Sequence, residues 1–200
     1  MKKVTLQGLE FEPYITKQEI AAQIKRVAAE ITEDLDGDDA PLFICVLNGA
    51  FIFAADLFRE VNLAHAQITF IRYKSYDGMQ TSGELRQIIG LQESIEGRNI
   101  IIIEDIVDTG TTAAELINML SEQGPKSVKL ATLLFKPNSI INQVMPDYVG
   151  FNIPSKFIIG YGLDLDEEAR NLSDIYILSK DKQDADDMNL SMWNIHLSDT

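Results

Sequence analysis

Three carboxylates, Glu104, Asp105 and Asp108, are followed directly by Thr109, Gly110, Thr111 and Thr112. A hydroxyl- and glycine-containing turn that opens a helix offers free backbone N–H groups and a positive dipole end, which suits a phosphate. Hydroxyls of Thr109, Thr111 and Thr112 add donors, and Gly110 lets the backbone approach closely. Carboxylates beside a phosphate repel it unless they serve another partner. Sugar diol hydroxyls, a divalent cation or a proton-transfer step would each employ them. Thr-Gly-Thr-Thr lacks the lysine and the spacing of a P-loop, which argues against a nucleoside triphosphatase. An ordinary helix cap with a solvated acidic rim is the bland alternative. The acidic cluster on the end of a buried strand weighs against it.

Residues 100–103 are four isoleucines in a row, too apolar for one face to meet water, and they predict a strand buried on both sides. That strand is expected to end at Glu104 and Asp105. Ala113, Ala114, Glu115 and Leu116 predict the helix that follows. Ligands of open α/β sheets bind beyond the carboxyl ends of the strands. Other strand ends carry unusual residues too. Lys136 follows the apolar run 131–135, where it is a solvated strand end or a fixed donor for a ring carbonyl. Phe157 opens a further apolar run and is either core or a stacking surface for a flat base. Asp164 and Arg170 flank a turn that could lie over the site.

Elsewhere the chain alternates. Thr16 and Glu19 have the spacing of a capping box, and Ile20, Ile24, Val27, Ile31 and Leu35 form one helical stripe. An acidic loop over 36–41 leads to Leu42–Leu47, a buried strand, then Asn48-Gly49 and a helix over residues 50–61. This is a second short βα turn that could hold an anion. Residues 67–73 read as a strand, 74–84 as a polar mobile loop that could serve as a lid, and 85–91 as a returning strand. The helix after Thr112 closes at Gly124-Pro125. Ser127–Phe135 is a buried strand, and residues 148–153, 157–160 and Ile175–Leu178 are short apolar runs expected to complete the sheet or its edge. Strands alternating with helices predict an α/β fold with a parallel, doubly wound sheet.

The chain has 200 residues, 46% hydrophobic and 24% charged, with a net charge of −14. One domain over residues 1–180 is expected, with an acidic, poorly ordered tail over 181–200. So negative a chain is expected to bind neither nucleic acid nor an anionic membrane, since both call for a basic surface. A small anionic substrate is still compatible, held by local cations or a metal. The single cysteine, Cys45, lies in an apolar run, cannot form an internal disulfide and points to a cytoplasmic home. No signal peptide is expected after Met1-Lys2-Lys3-Val4-Thr5, and no apolar run has membrane-spanning length.

Residues 99–112 resemble the phosphoribosyl pyrophosphate (PRPP) motif of type I phosphoribosyltransferases. In it an apolar strand precedes two acidic residues, two apolar ones, then Asp, a hydroxyl residue, Gly and Thr. Leu47-Asn48-Gly49, Ser75-Tyr76, Lys136-Pro137 and the segment from Phe157 to Asp164 with Arg170 stand in the order found in hypoxanthine-guanine phosphoribosyltransferases. The likeness runs from roughly residue 10 to 180. It implies a small hood formed by the N- and C-terminal segments. It also implies transfer of 5-phosphoribosyl from PRPP to N9 of a 6-oxopurine, with release of pyrophosphate.

The resemblance further implies roles by position. Glu104 and Asp105 would hold the ribose hydroxyls directly or through Mg²⁺, and the turn from Asp108 through Thr109, Gly110 and Thr111 to Thr112 would cradle the 5-phosphate. Asp108 would accept the proton from N7. Lys136 would contact the 6-oxo group, Phe157 would stack on the purine, and the Ile158 backbone would meet its Watson–Crick edge. Asp164 would face a second Mg²⁺, while Arg170 and the loop Leu47, Asn48 and Gly49 would bind pyrophosphate. Ser75 and Tyr76 would lie in a closing lid. Position 48 is commonly Lys or Arg in relatives, so Asn48 is expected to weaken PRPP or pyrophosphate binding. Relatives form dimers or tetramers, and a homodimer or homotetramer is expected here. A xanthine-preferring transferase and a PRPP-sensing regulator are the alternatives. The latter usually carries a basic module or face that this chain lacks.

Overall fold

The structure is a computed structural model, and it describes residues 2–35, 37, 40–74, 86–91 and 93–179. The elements in chain order are β1 (Val4–Leu6), β2 (Leu9–Ile15), α1 (Lys17–Asp34), β3 (Leu42–Leu47), α2 (Phe51–Glu60), β4 (Gln67–Lys74) and β5 (Arg86–Ile89). They continue with β6 (Asn99–Val107), α3 (Thr111–Ser121), β7 (Ser127–Phe135), β8 (Tyr148–Asn152), β9 (Ile158–Ile159) and β10 (Ile175–Leu178). A 3₁₀ turn, Pro137–Ser139, follows β7.

A six-stranded sheet in the order β5-β4-β3-β6-β7-β8 forms the centre, parallel throughout except for the antiparallel edge strand β5. Both faces are covered, which is why its strands read as continuous apolar runs. Phe43, Cys45, Ile101 and Ile103 pack with Ile24, Val27 and Ile31 of α1 and Phe53 and Leu57 of α2. Their neighbours Ile44, Val46, Ile100 and Ile102 pack instead with Ala113, Leu116 and Leu120 of α3. Strand side chains alternate between faces, so one isoleucine run serves two cores. The α1 capping box forms as its spacing predicts: Thr16 Oγ1 accepts from the Glu19 N–H, and the Thr16 N–H donates to Glu19 Oε2 at 2.8 Å.

Two expectations are corrected. Strand β6 does not stop at Ile103. It runs to Val107, so Glu104 and Asp105 lie within the strand, because pairing with β7 continues through Val107↔Phe135 after pairing with β3 has ended at Cys45↔Ile103. The runs at β9 and β10 also leave the central sheet. They join β1 and β2 in a separate antiparallel sheet, ordered β1-β2-β10-β9, around Phe11, Ile159, Tyr176 and Leu178. This second sheet is the hood, made from both ends of the described chain. Ser75 and Tyr76, expected in a lid, and the tail over 181–200 lie outside the described residues.

Candidate functional site

The register of β6 against β7 decides the first contact. The pairs Asn99↔Ser127 and Val107↔Phe135 bracket a single in-step ladder, and the Lys136 N–H donates to the Val107 carbonyl at 3.0 Å. Parallel strands advance together, so the residues just beyond, Asp108 and Lys136, emerge side by side. Lys136 Nζ lies 2.6 Å from Asp108 Oδ2, with Lys136 only 8% exposed. The lysine is therefore not a solvated strand end.

The turn that follows is shaped for an anion. Gly110 caps α3 with φ 80°, a left-handed conformation that favours glycine, and no side chain caps the helix there. The Thr109 and Thr111 hydroxyls are 3.2 Å apart, and the Asn142 amide donates to Thr111 Oγ1 at 2.8 Å. Glu104, Asp108, Thr109, Gly110, Thr111 and Thr112 line a hollow of about 130 Å³. It combines N–H groups at a helix start with three hydroxyls, the chemistry a phosphate requires.

A second loop meets the first across β3. The Leu47–Asn48 peptide is cis, and Gly49 sits directly against Asp105. A Cβ on Gly49 would fall 1.8 Å from Asp105 Oδ2. Gly162 presses on the same loop from above, where its own Cβ would fall 2.2 Å from the Gly49 carbonyl oxygen. Gly162 leads to Asp164 and Arg170. Arg170 Nη2 is 2.9 Å from Asp164 Oδ1 and 2.8 Å from Glu167 Oε2, and Nη1 donates to the Gly162 carbonyl at 2.8 Å. The Asp164–Arg170 segment is thus a turn packed on the Leu47, Asn48 and Gly49 loop.

Phe157 and Ile158 belong to the hood. The Phe157 ring lies 6.2 Å from that of Phe11, tilted by 49°, and Ile158 pairs with Ile177 of β10. Phe157 is half-buried, leaving part of its side chain free to meet a ligand.

Comparison with known proteins bears on this arrangement. A phosphoribosyl transferase domain matches residues 14–166. A hypoxanthine-guanine phosphoribosyltransferase of Bacillus subtilis (strain 168) is 40% identical over 165 residues, spanning 82% of this chain and 91% of the relative. The chain belongs to the hypoxanthine-guanine phosphoribosyltransferase family. Solved structures agree. One from Bacillus anthracis, a hypoxanthine-guanine phosphoribosyltransferase with HEPES in its active site, superposes with TM-score 0.79 at 36% identity over 84% of this chain and 98% of its own. The Trypanosoma cruzi hypoxanthine phosphoribosyl transferase gives 0.80 at 36% identity, covering 88% and 95%.

The electrostatics of this phosphoribosyltransferase site are unusual for carboxylates. Burial and then the charge of Asp105 push the Glu104 carboxyl well above its usual range. Burial raises Asp105 to about 6, against opposing hydrogen bonds from backbone N–H groups, Ile106 first, and the pull of Arg170. Two desolvated neighbours that resist ionisation together are a place where a cation lowers the free energy. Their hard oxygens suit Mg²⁺, which takes one or two protein carboxylates and completes its shell with water and phosphate oxygens. Among the described residues no group of three or more His, Cys, Asp or Glu side chains forms an all-protein cage. The donors fit a metal shared with substrate.

Sequence reasoning missed three members of this phosphoribosyltransferase site. Asn142 steadies Thr111 from a loop with no motif of its own, and nothing local signalled it. Gly162 stood only within the run from Phe157 to Asp164, and its partner lies more than a hundred residues away in the chain. Glu167 fell inside the turn flanked by Asp164 and Arg170, and nothing in the sequence singled it out. A larger hollow of about 480 Å³ lies between α1, α2 and the Tyr161–Ser173 stretch, away from the phosphoribosyltransferase motif. Its central carboxylate, Asp56, is already engaged by Arg59 and by the Tyr161 hydroxyl at 2.5 Å.

Proposed function

We propose that this protein is a purine-salvage transferase. It moves 5-phosphoribosyl from PRPP to N9 of hypoxanthine or guanine, giving IMP or GMP and pyrophosphate. One observation supports this most: Lys136 and Asp108 meet beside the phosphate turn, so one pocket offers a donor and an acceptor to the same flat ligand. A 6-oxopurine matches that pair, with its carbonyl toward Lys136 and its N7–H toward Asp108. Adenine carries a donor where the carbonyl would be and is disfavoured by Lys136, which has no acceptor.

In this reading the turn from Thr109 to Thr112 holds the 5-phosphate through N–H groups and hydroxyls, and Glu104 and Asp105 accept from the ribose diol. Phe157 stacks on the purine, and the Ile158 backbone meets its edge. N9 attacks C1′ as the C1′–oxygen bond to pyrophosphate breaks, and the bonding pair leaves with pyrophosphate. Asp108, freed from Lys136 as the base takes that lysine, accepts the N7 proton. Arg170 and the N–H groups of the Leu47, Asn48 and Gly49 loop neutralise the departing anion. Glu104, Asp105 and Asp164 are the residues that would hold Mg²⁺, which supplies charge neutralisation on the ribose and pyrophosphate oxygens when bound. Ser75 and Tyr76 are proposed to close over the site and exclude water from the ribosyl centre.

A single transferase domain over residues 1–180, a cytoplasmic location and assembly as a homodimer or homotetramer complete the proposal. In support, Cys45 is a buried free thiol. Among the described residues no helix is long and apolar enough to cross a membrane. The test is incubation with PRPP, Mg²⁺ and each of hypoxanthine, guanine, xanthine and adenine. Nucleotide and pyrophosphate should appear with the first two. PRPP binding without product would favour a sensor, and product chiefly from xanthine would move the specificity.

A further inference from the structure

Arg170 is already occupied. Nε and Nη2 both reach Glu167 Oε2, at 3.2 and 2.8 Å, while Nη2 also meets Asp164 Oδ1 and Nη1 the Gly162 carbonyl. Two carboxylates therefore share the Arg170 guanidinium, with the charge of Arg72 also acting on Glu167, and an arriving pyrophosphate meets an Arg170 whose donors are already taken. The two carboxylates differ in how firmly they are held. Asp164 is largely covered, at 30% side-chain exposure, and its Oδ2 accepts from the Glu167 N–H at 2.9 Å, closing the turn. The Glu167 side chain is 69% exposed, with the Asn48 side chain of the adjoining loop beside it. Its backbone is anchored by that Asp164 bond and by the reciprocal Leu165–Glu168 pair. The carboxylate can swing to water while the turn stays in place.

We infer that Glu167 is an internal stand-in for pyrophosphate, filling the anion-binding face of Arg170 in the empty site and yielding it when PRPP or pyrophosphate binds. This rests on the proposed role of Arg170 as a pyrophosphate ligand. Competition of this kind weakens ground-state binding and speeds departure of the product. Glu167 is then a positioning residue that sets KM for PRPP and the rate of pyrophosphate release.

The test is Glu167→Gln, which keeps the shape and removes the charge. Calorimetric titration with pyrophosphate at fixed Mg²⁺ should give tighter binding by roughly two- to five-fold, the range that an exposed ion pair carries. KM for PRPP should fall by a similar factor, with kcat unchanged or lower as pyrophosphate leaves more slowly. If Glu167 merely braced Arg170, the same substitution would weaken binding, and a weaker or unchanged affinity overturns the proposal. The gain must disappear in an Arg170→Gln background. If it persists there, the effect is a general loss of negative charge and the proposal fails. An Arg170→Gln enzyme that binds pyrophosphate as well as the unaltered protein would remove the Arg170 reading itself. Absence of nucleotide from the unaltered protein, by contrast, would remove the transferase reading.

Discussion

Asp108 and Lys136, 28 residues apart in the chain, are joined at 2.6 Å because β6 and β7 run in step and release both residues at the same level. The pair places a carboxylate and an ammonium side by side next to the hollow lined by residues 109–112, each the partner of the other. Asp108→Asn removes the proposed proton acceptor while keeping the shape. The expected loss in kcat is about 10²-fold or more, the ordinary contribution of a placed general base. Lys136→Gln should instead raise KM for hypoxanthine and narrow the preference over adenine. Steady-state kinetics with both bases separates the two effects.

Gly49 has no room for a side chain, since its Cβ would meet Asp105 Oδ2 at 1.8 Å. Gly49→Ala must push the Asp105 carboxylate or the loop aside. Overpacking of this sort costs about 1–3 kcal/mol. The expected outcome is a lower melting temperature together with a raised KM for PRPP, measured by calorimetry and initial rates. A surface substitution such as Lys2→Ala should do neither.

The raised carboxyl of Asp105 gives a pH dependence whose sign can be worked out. Its folded value, about 6, lies above the ordinary aspartate value of 3.8, so the folded protein holds the extra proton between those limits. Stability is then greatest at the acid end of that window and falls as pH rises through about 6. In metal-free buffer at pH 7.5, Asp105→Asn is expected to stabilise the protein by roughly 1 kcal/mol, or about 2–4 °C for a chain of this size. The difference should vanish near pH 4. If Asp105 holds the ribose as proposed, PRPP binding should run the other way, strengthening as pH rises through about 6, because an ionised carboxylate accepts hydroxyl hydrogen bonds at both oxygens.

Cys45 is fully buried in β3, and burial, with the charges of Glu104 and then Asp105, pushes its thiol up to about 12. The thiolate is therefore absent at pH 8. Aromatic disulfide reagents should leave the native protein unlabelled and react only in denaturant. Rapid labelling of the native protein would contradict this burial.

Asn48 sits beside Glu167 rather than facing empty solvent. In Asn48→Lys the new ammonium would add positive charge to the loop and also draw Glu167 from Arg170. Both effects favour pyrophosphate. KM for PRPP should fall several-fold, and no gain in affinity would count against the weakening assigned to this position.

What the sequence determined by itself was local and periodic. The isoleucine run of β6, the Thr16–Glu19 capping box, the stripe of α1 and the acidic, hydroxyl and glycine order of residues 104–112 are written in adjacent residues. Backbone geometry acts over that range, so the parallel sheet and the phosphate turn were readable at once. The fate of β9 and β10 was not, because two short apolar runs look the same whether they extend one sheet or start another. Only the partner strands β1 and β2 settled it. The end of β6 moved for the same reason, since pairing with β7 outlasts pairing with β3. The contacts that join the site were likewise beyond sequence: Lys136 to Asp108, Gly162 to Gly49, and Gly49 to Asp105. Each depends on strand register or loop packing set by the whole sheet, and register is a property of paired strands that no single strand carries.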